Sequence, residues 1–221
     1  MDEPPGELSS HDRILQAARR LFATDGYENT TTSAIARKAG TSESQLIKHF
    51  GSKEGLLESI FDQAWQRMGA GIGQVLERPE SLRERLQNLT ELMISALERD
   101  KELRTLMLLE GRRIRRHGHM VVLTRGFLQV LGALDGMLRE LQARGELREG
   151  LNVEAVRAAL VGAFEGLLRD QVLAERMDFP ARYDGTELRA AFRAVLDCFF
   201  ETEQKGQQGQ QRQQGQENET T

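Results

Sequence analysis

The chain has 221 residues, 39% of them hydrophobic and 29% charged, with a formal net charge of −4. That balance fits a soluble globular protein of one large domain or two unequal ones, and it excludes a fibre, a collagen and a protein that coats nucleic acid through bulk charge. Apolar runs such as Met120-Val121-Val122-Leu123 fall far short of the roughly 18 residues of a membrane span, and the acidic, proline-bearing start from Met1 to Ser10 has no signal-peptide pattern. The single cysteine, Cys198, has no internal partner, so a reducing cytoplasm is the expected compartment. Aromatics are only 5% of residues, and Pro79 is the only proline between residues 6 and 179, so an all-α fold with long helices is expected.

Residues 1–8 read as a disordered leader. Ser9 to Asp12 carries a helix-capping pattern, after which Ile14, Leu15, Ala18, Leu21 and Phe22 form one helical face that Gly26 ends. Thr31 can cap a second helix, with Ile35, Ala36 and Ala39 on its apolar side and Gly40 as its stop. Ser42-Glu43-Ser44-Gln45 reads as a capping box opening a third short helix through Phe50, stopped by Gly51. Ser52 caps a longer helix from Lys53 toward Gly69. Amphipathic segments then follow at about 81–99, 102–115, 119–144, 152–175 and 186–202, with no sustained strand alternation. Residues 203–221 are a Gln/Gly-rich tail with nothing to bury, expected to be disordered and dispensable. The expected organisation is therefore a small domain over residues 9–53 and a larger helical one over 54–202.

The stretch Thr31 to Phe50 is the informative one. A short helix, the turn Gly40-Thr41-Ser42 and a second short helix have the spacing of a helix-turn-helix, whose second helix enters the major groove. An ordinary packed helix pair has the same spacing, so the chemistry has to discriminate. The third helix offers Glu43, Ser44, Gln45 and Lys48 outward, with Leu46 and Phe50 facing the core. Gln45 can pair with adenine, Ser44 with a base or phosphate, and Glu43 can accept from cytosine. Thr31 and Ser52-Lys53 stand at helix N-termini, where backbone N–H groups favour phosphate. Residues 13–53 hold seven basic side chains, Arg13, Arg19, Arg20, Arg37, Lys38, Lys48 and Lys53, against three acidic ones.

These residues resemble a known family. Gly26-Tyr27-Glu28-Asn29-Thr30-Thr31, Ile35-Ala36-Arg37-Lys38-Ala39-Gly40, Ser42, Leu46, His49-Phe50 and Ser52-Lys53-Glu54-Gly55-Leu56-Leu57 are similar to the DNA-binding region of TetR-type transcriptional regulators, over roughly residues 11–62. The resemblance implies a homodimer on palindromic operator DNA, an N-terminal three-helix helix-turn-helix domain, and an all-α C-terminal domain that senses a small molecule. It implies a repressor released by that molecule; the alternative is a DNA-binding regulator without a ligand, acting through a protein partner. The DNA-binding set it implies is Thr31, Ser42, Glu43, Ser44, Gln45, Ile47, Lys48, His49 and Lys53. Ile47 departs from the pattern: relatives commonly carry tyrosine there, and isoleucine cannot donate a hydrogen bond, leaving Lys48 or apolar contact with a thymine methyl to replace it.

In the larger domain, Ala158, Gly162 and Gly166 are spaced by four on one helix face, which lets another helix approach closely. With Phe192 and Phe199 on the last helix they are the expected dimer residues, an assignment that leans on the family. Trp65, Met93, Met107, Phe127 and Phe164 are the expected ligand-binding residues, flexible or aromatic groups on helices that would surround a cavity. The basic run Arg112 to His119 reads first as a solvated helix end, and otherwise as an anion site. No cofactor is implied. His117 and His119 lack a metal-site pattern, Gly69, Gly71 and Gly73 follow a helix rather than a phosphate-loop strand, and Cys198 falls on an apolar stripe as inert packing, so catalysis is not expected. Replacing Gln45 with Ala is expected to change preference at particular bases, by about 1–3 kcal/mol at a base it pairs with, measured by competition between duplexes that differ at single positions.

Overall fold

The computed structural model describes residues 8–110 and 124–201, and the regular elements among them are helical, apart from one isolated bridge between Leu147 and Phe200. Helices α1 (Ser10–Asp25), α2 (Thr32–Lys38) and α3 (Glu43–Phe50) form the small N-terminal unit. Helices α4 (Lys53–Leu76), α5 (Leu82–Arg99), α6 (Lys101–Thr105), α7 (Arg125–Ala143), α8 (Val153–Arg176) and α9 (Gly185–Asp197) make the larger one. The all-α fold expected from the sequence is the one observed. No helix among the described residues is long and apolar enough to cross a membrane.

Side-chain caps place the small helices where the sequence puts them. Ser9, Thr31, Ser42 and Ser52 each accept from the backbone amide three residues on, at 3.0–3.2 Å. Each such cap is worth about 1 kcal/mol. Gly40 and Gly51 end α2 and α3 with φ of 64° and 72°, a region that favours glycine. Two further caps are full reciprocal boxes that the sequence reading did not single out, Ser81 with Glu84 at the start of α5 and Asp184 with Glu187 at the start of α9.

Elsewhere the boundaries shift for identifiable reasons. α4 runs to Leu76, through Gly69, Gly71 and Gly73, because its buried face continues through Ile72 and Val75. The expected segment 102–115 breaks after one turn. Asp100 caps α6 by accepting from the Leu103 amide at 3.0 Å, and at Leu106–Glu110 the chain widens into a π-helical turn. Residues 111–115 and the basic run Arg112 to His119 lie outside the described residues, as do residues 1–7 of the leader and the tail. The last helix stops at Asp197 rather than near 202, since Phe200 folds back beside Leu147, with Arg148 N–H on the Phe199 carbonyl and Glu201 N–H on that of Glu146, both at 2.9 Å. Cys198, expected on the buried stripe, is exposed at the end of α9.

One apolar core runs the length of the protein, from Ile14, Phe22 and Leu46 through Leu57, Phe61 and Trp65 to Leu138, Leu160 and Leu196. Charged side chains tie the helices together at its margin. Arg189 of α9 bridges Glu91 and Glu98 of α5, Arg104 of α6 meets Glu175 of α8, and Arg19 of α1 meets Asp100 and Glu102 at the start of α6. Arg176 at the end of α8 also donates to the Ala23 carbonyl of α1.

The Arg189 guanidinium, by hydrogen bond and charge and against desolvation, holds the Glu98 carboxyl below the usual carboxylate range. A group with a lowered folded pKa stabilises the fold above its unfolded value, about 4.3 for glutamate, and that contribution is lost as pH falls through the folded value. Arg189→Met is therefore expected to lower Tm at pH 7, with the gap to the parent protein narrowing as pH falls below the ordinary glutamate value of about 4.3. Thermal unfolding across that range checks it, and a gap that stays constant would place the effect in packing rather than in the ion pair.

Candidate nucleic-acid interface and effector cavity

The third helix presents a working face because only one of its central residues is needed for packing. Leu46 is fully buried, while Glu43, Ser44, Gln45, Ile47, Lys48 and His49 are exposed. Ile47 leaves 47% of its surface open, an apolar side chain with no role in the core of its own protomer. Thr31 and Ser42 are exposed as well, each with its hydroxyl engaged as a helix cap. The expected nucleic-acid residues thus come together on one surface formed by α2, α3 and the start of α4.

Two of them are less free than their sequence positions imply. The Glu43 carboxylate accepts from the Thr32 hydroxyl at 2.5 Å through Oε1, which fixes α3 against α2 and leaves Oε2 as the oxygen available to a cytosine. Lys53 donates to the Tyr27 and Thr30 carbonyls at 2.9 and 3.0 Å, with its ammonium 4.2 Å from the centre of the Tyr27 ring. That engages two of three N–H donors and holds the third at the N-terminus of α4. Beside it, desolvation would raise the Glu54 carboxyl, but hydrogen bonds from its own amide and from Tyr27 and Ser52, with the Lys53 charge, hold it below the usual range.

Basic side chains divide in the same way. Arg13 donates to the Ala39 and Leu8 carbonyls, and Arg19 is held by the α6 carboxylates, so neither is a loose surface charge. Arg37 and Lys38 at the end of α2 and Lys48 on α3 are exposed and supply the positive charge nearest the face. Arg37 and Lys38 are the members of this surface that sequence reasoning counted as charge without assigning to the site. Their position in the last turn of α2, also favourable to the helix dipole, is the signal that points to them. His49 stands edge-on to His11 at 5.8 Å, and His11 stacks on Phe50 at 4.8 Å, which braces the end of α3 against α1.

The larger unit encloses an apolar cavity of about 110 Å³, and Trp65, Met93, Met107, Phe127 and Phe164 all line it. These five come from four helices and the π-helical turn, far apart in sequence. A larger cleft of about 780 Å³ lies along the seam between α1 and helices α4 to α6, with apolar walls such as Leu15, Ile60 and Met68 and a charged border of Asp12, Arg19, Arg67, Arg99 and Glu102. Of the expected dimer residues, Ala158 and Gly162 are exposed and Gly166 is half-buried, in line on the outside of α8. Phe192 turns the other way. It is 5% exposed, packs edge-on against Phe164 at 6.0 Å and lines the cavity, so it serves the interior of its own protomer. Phe199 is half-buried. The small residues Ala190, Ala191 and Ala194 occupy the exposed side of α9, extending the small-residue face of α8.

Residues 14–60 match the family described as bacterial regulatory proteins of the tetR family, and residues 61–197 match the YsiA-like protein C-terminal region. The chain belongs to the TetR family. It is a DNA-binding transcriptional regulator, of a family whose members act on operator DNA as dimers. Among relatives, it is 28% identical over 195 residues to the nucleoid occlusion factor SlmA of Vibrio atlanticus, covering 84% of this chain and 92% of that one. It is 28% identical over 162 residues to the fatty acid metabolism regulator protein of Bacillus subtilis, covering 69% and 78%. The fatty acid degradation regulator FadR of Bacillus halodurans shares the fold with a TM-score of 0.72 at 23% identity, over 89% of this chain and 96% of that one. The structure of the regulator FadR of Bacillus subtilis in complex with stearoyl-CoA aligns with a TM-score of 0.65 at 26% identity, over 85% and 96%.

The contrast between two lysines makes this regulator's face testable. Lys48→Ala is expected to leave Tm unchanged and to lower the salt dependence of DNA binding by about one counterion. Lys53→Ala is expected to weaken binding to all duplexes and also to destabilise the protein by about 1–3 kcal/mol, through its lost carbonyl contacts. Titrations at several salt concentrations, paired with thermal unfolding, separate the two.

Proposed function

We propose that this TetR-family protein is a repressor that binds a palindromic operator as a dimer and is released when the apolar chain of a small molecule of the long-chain acyl-CoA class enters the cavity of its larger helical unit. The observation that carries the reading is the cavity itself, where side chains from five helices and the π-helical turn converge on an apolar space. The likeness to the Bacillus subtilis regulator in complex with stearoyl-CoA supports the ligand class. The division of labour is a reading unit over residues 9–53 and a sensing and dimerising unit over 54–202. Within it, Thr31, Ser42, Ser44, Gln45, Ile47, Lys48, His49 and Lys53 meet DNA, joined by Arg37 and Lys38. Ala158, Gly162 and Gly166 meet the partner subunit together with the exposed alanines of α9.

The mechanism is geometric. Two recognition helices have to stand about 34 Å apart to enter successive major grooves. A cavity of about 110 Å³ is smaller than the roughly 300 Å³ at which ligand pockets begin, so the ligand-bound state needs it widened. Met107 and Leu108 line it from the π-helical turn next to α6, and the start of α6 holds Arg19 of α1. Widening therefore moves α6 and, through Arg19, the reading unit. The ligand shifts the population toward that state by its differential affinity and no more. A regulator without a small-molecule ligand, acting through a protein partner, is the second reading. The likeness to nucleoid occlusion factors favours it, since their name describes a role on the nucleoid and no metabolite.

Selection of bound duplexes from a random pool yields the operator, and the same duplex then reports release. A palindrome with half-sites about 10–10.5 base pairs apart or a multiple of that spacing, and loss of binding on addition of a long-chain acyl-CoA, are the expected results. Binding that no acyl-CoA alters would count against the sensor reading and leave the partner-dependent one.

A further inference from the structure

Trp65 combines features that belong together only if a ligand completes them. It is 4% exposed, it lines the apolar cavity, and its indole N–H is buried without a hydrogen-bond partner. An indole nitrogen is a donor only, and a buried tryptophan normally finds an acceptor, because an unmade bond costs the full desolvation of the group. This one cannot turn to find one. The backbone of α7 rests on the root of the side chain: a Cβ at Gly126 would lie 2.4 Å from the Trp65 Cβ, and the Phe127 ring packs at 5.5 Å. A bound water is a poor substitute, since it needs two to four polar partners. Of the polar residues on the lining, Thr90 turns its hydroxyl to the Leu86 carbonyl at 2.9 Å and Glu165 is engaged elsewhere, and neither meets the indole N–H.

We infer that the Trp65 N–H is the polar anchor of the effector, and that the part of the effector inside the cavity carries a neutral acceptor, a carbonyl of the thioester, ester or ketone class, at the head of an apolar chain. This rests on the effector-cavity reading above and adds the chemistry of the reacting contact. A donor on the ligand would meet another donor. A carboxylate would enter a space whose lining has no lysine, arginine or histidine and includes Glu165, so a free fatty acid anion is excluded by the cost of burying an unpaired charge. The anchor requires that the widening which admits a ligand also uncovers the N–H; a bond made only in the ligand-bound state then favours that state.

The chain has one tryptophan, so its ¹H–¹⁵N spectrum holds one indole resonance, a direct probe of this bond. Decanoyl-CoA and S-decyl-CoA differ only in the carbonyl, which the thioether lacks. The thioester is expected to move the indole proton downfield and to bind about tenfold more tightly than the thioether, the worth of one hydrogen bond to a group otherwise unpaired. Free decanoate is expected to bind more weakly than either. Trp65→Phe is expected to bring the ratio of thioester to thioether affinity to about one, whatever its effect on both affinities together; should that variant not fold, the spectrum and affinities of the parent protein decide alone. Equal affinity for thioester and thioether, with the indole resonance unmoved, would overturn the anchor and leave the effector cavity standing. Failure of both CoA derivatives to bind would overturn the cavity reading and the anchor with it.

Discussion

Arg19 lies on the side of α1 away from the recognition helix, and its guanidinium is held by Asp100 and Glu102 at the first turn of α6. Asp100 does two things at once, because the same carboxylate accepts from the Leu103 amide and so starts α6. The side chain that begins the helix next to the cavity is therefore also the one that holds the reading unit. Arg176 adds a second tie at the far end of α1, on the Ala23 carbonyl. A surface ion pair in isolation is worth about 0–1 kcal/mol, so neither tie stabilises the fold by much. Their importance is positional: α1 is fastened at two places to helices that respond to what fills the larger unit.

The reading unit is correspondingly rigid within itself. Lys53 draws the loop after α1 onto α4, Arg13 fastens the end of α2 to α1, and Thr32 with Glu43 sets α2 against α3. Each contact uses a polar side chain to satisfy a backbone carbonyl or a charge in a domain too small for burial alone to specify a unique arrangement. Movement of α1 is then transmitted to α3 as a rigid-body displacement, which is what a change in half-site spacing requires.

How much of this was legible in the sequence follows from how local each signal is. Caps at Ser9, Thr31, Ser42 and Ser52, and the glycine stops, act within four residues, so the three small helices and the exposed set from Glu43 to His49 could be read directly. The five cavity residues were legible as a class, since flexible and aromatic apolar side chains on long helices favour a cavity lining. What could not be read is which side of a helix faces inward when both sides are apolar or small. Phe192 and Ala191 are neighbours on one stripe, and only packing against Phe164 turns the ring inward and leaves the alanine outside. The engagement of Lys53 and Arg19 was hidden for a different reason: their partners are 23 to 26 and 81 to 83 residues away, beyond the reach of any local pattern.

Helix α8 links the cavity to the reading unit. Its outer face carries the small exposed residues Ala158 and Gly162, its inner face supplies Leu160, Val161 and Phe164 to the cavity, and its last turn sends Glu175 to Arg104 and Arg176 to Ala23. In a dimer built on that outer face, α8 is the element nearest the twofold axis, and each reading unit is fastened to its end. A rotation of α8 of a few degrees, at 1.5 Å rise per residue over 24 residues, is a lever about 36 Å long acting on α1. A displacement of about 3 Å at its tip follows from roughly 5°, comparable to the 3.4 Å step between base pairs. An apolar ligand that needs only a modest widening of the cavity can therefore carry the recognition helices out of register with the grooves, without unfolding any element and without a contact between ligand and DNA.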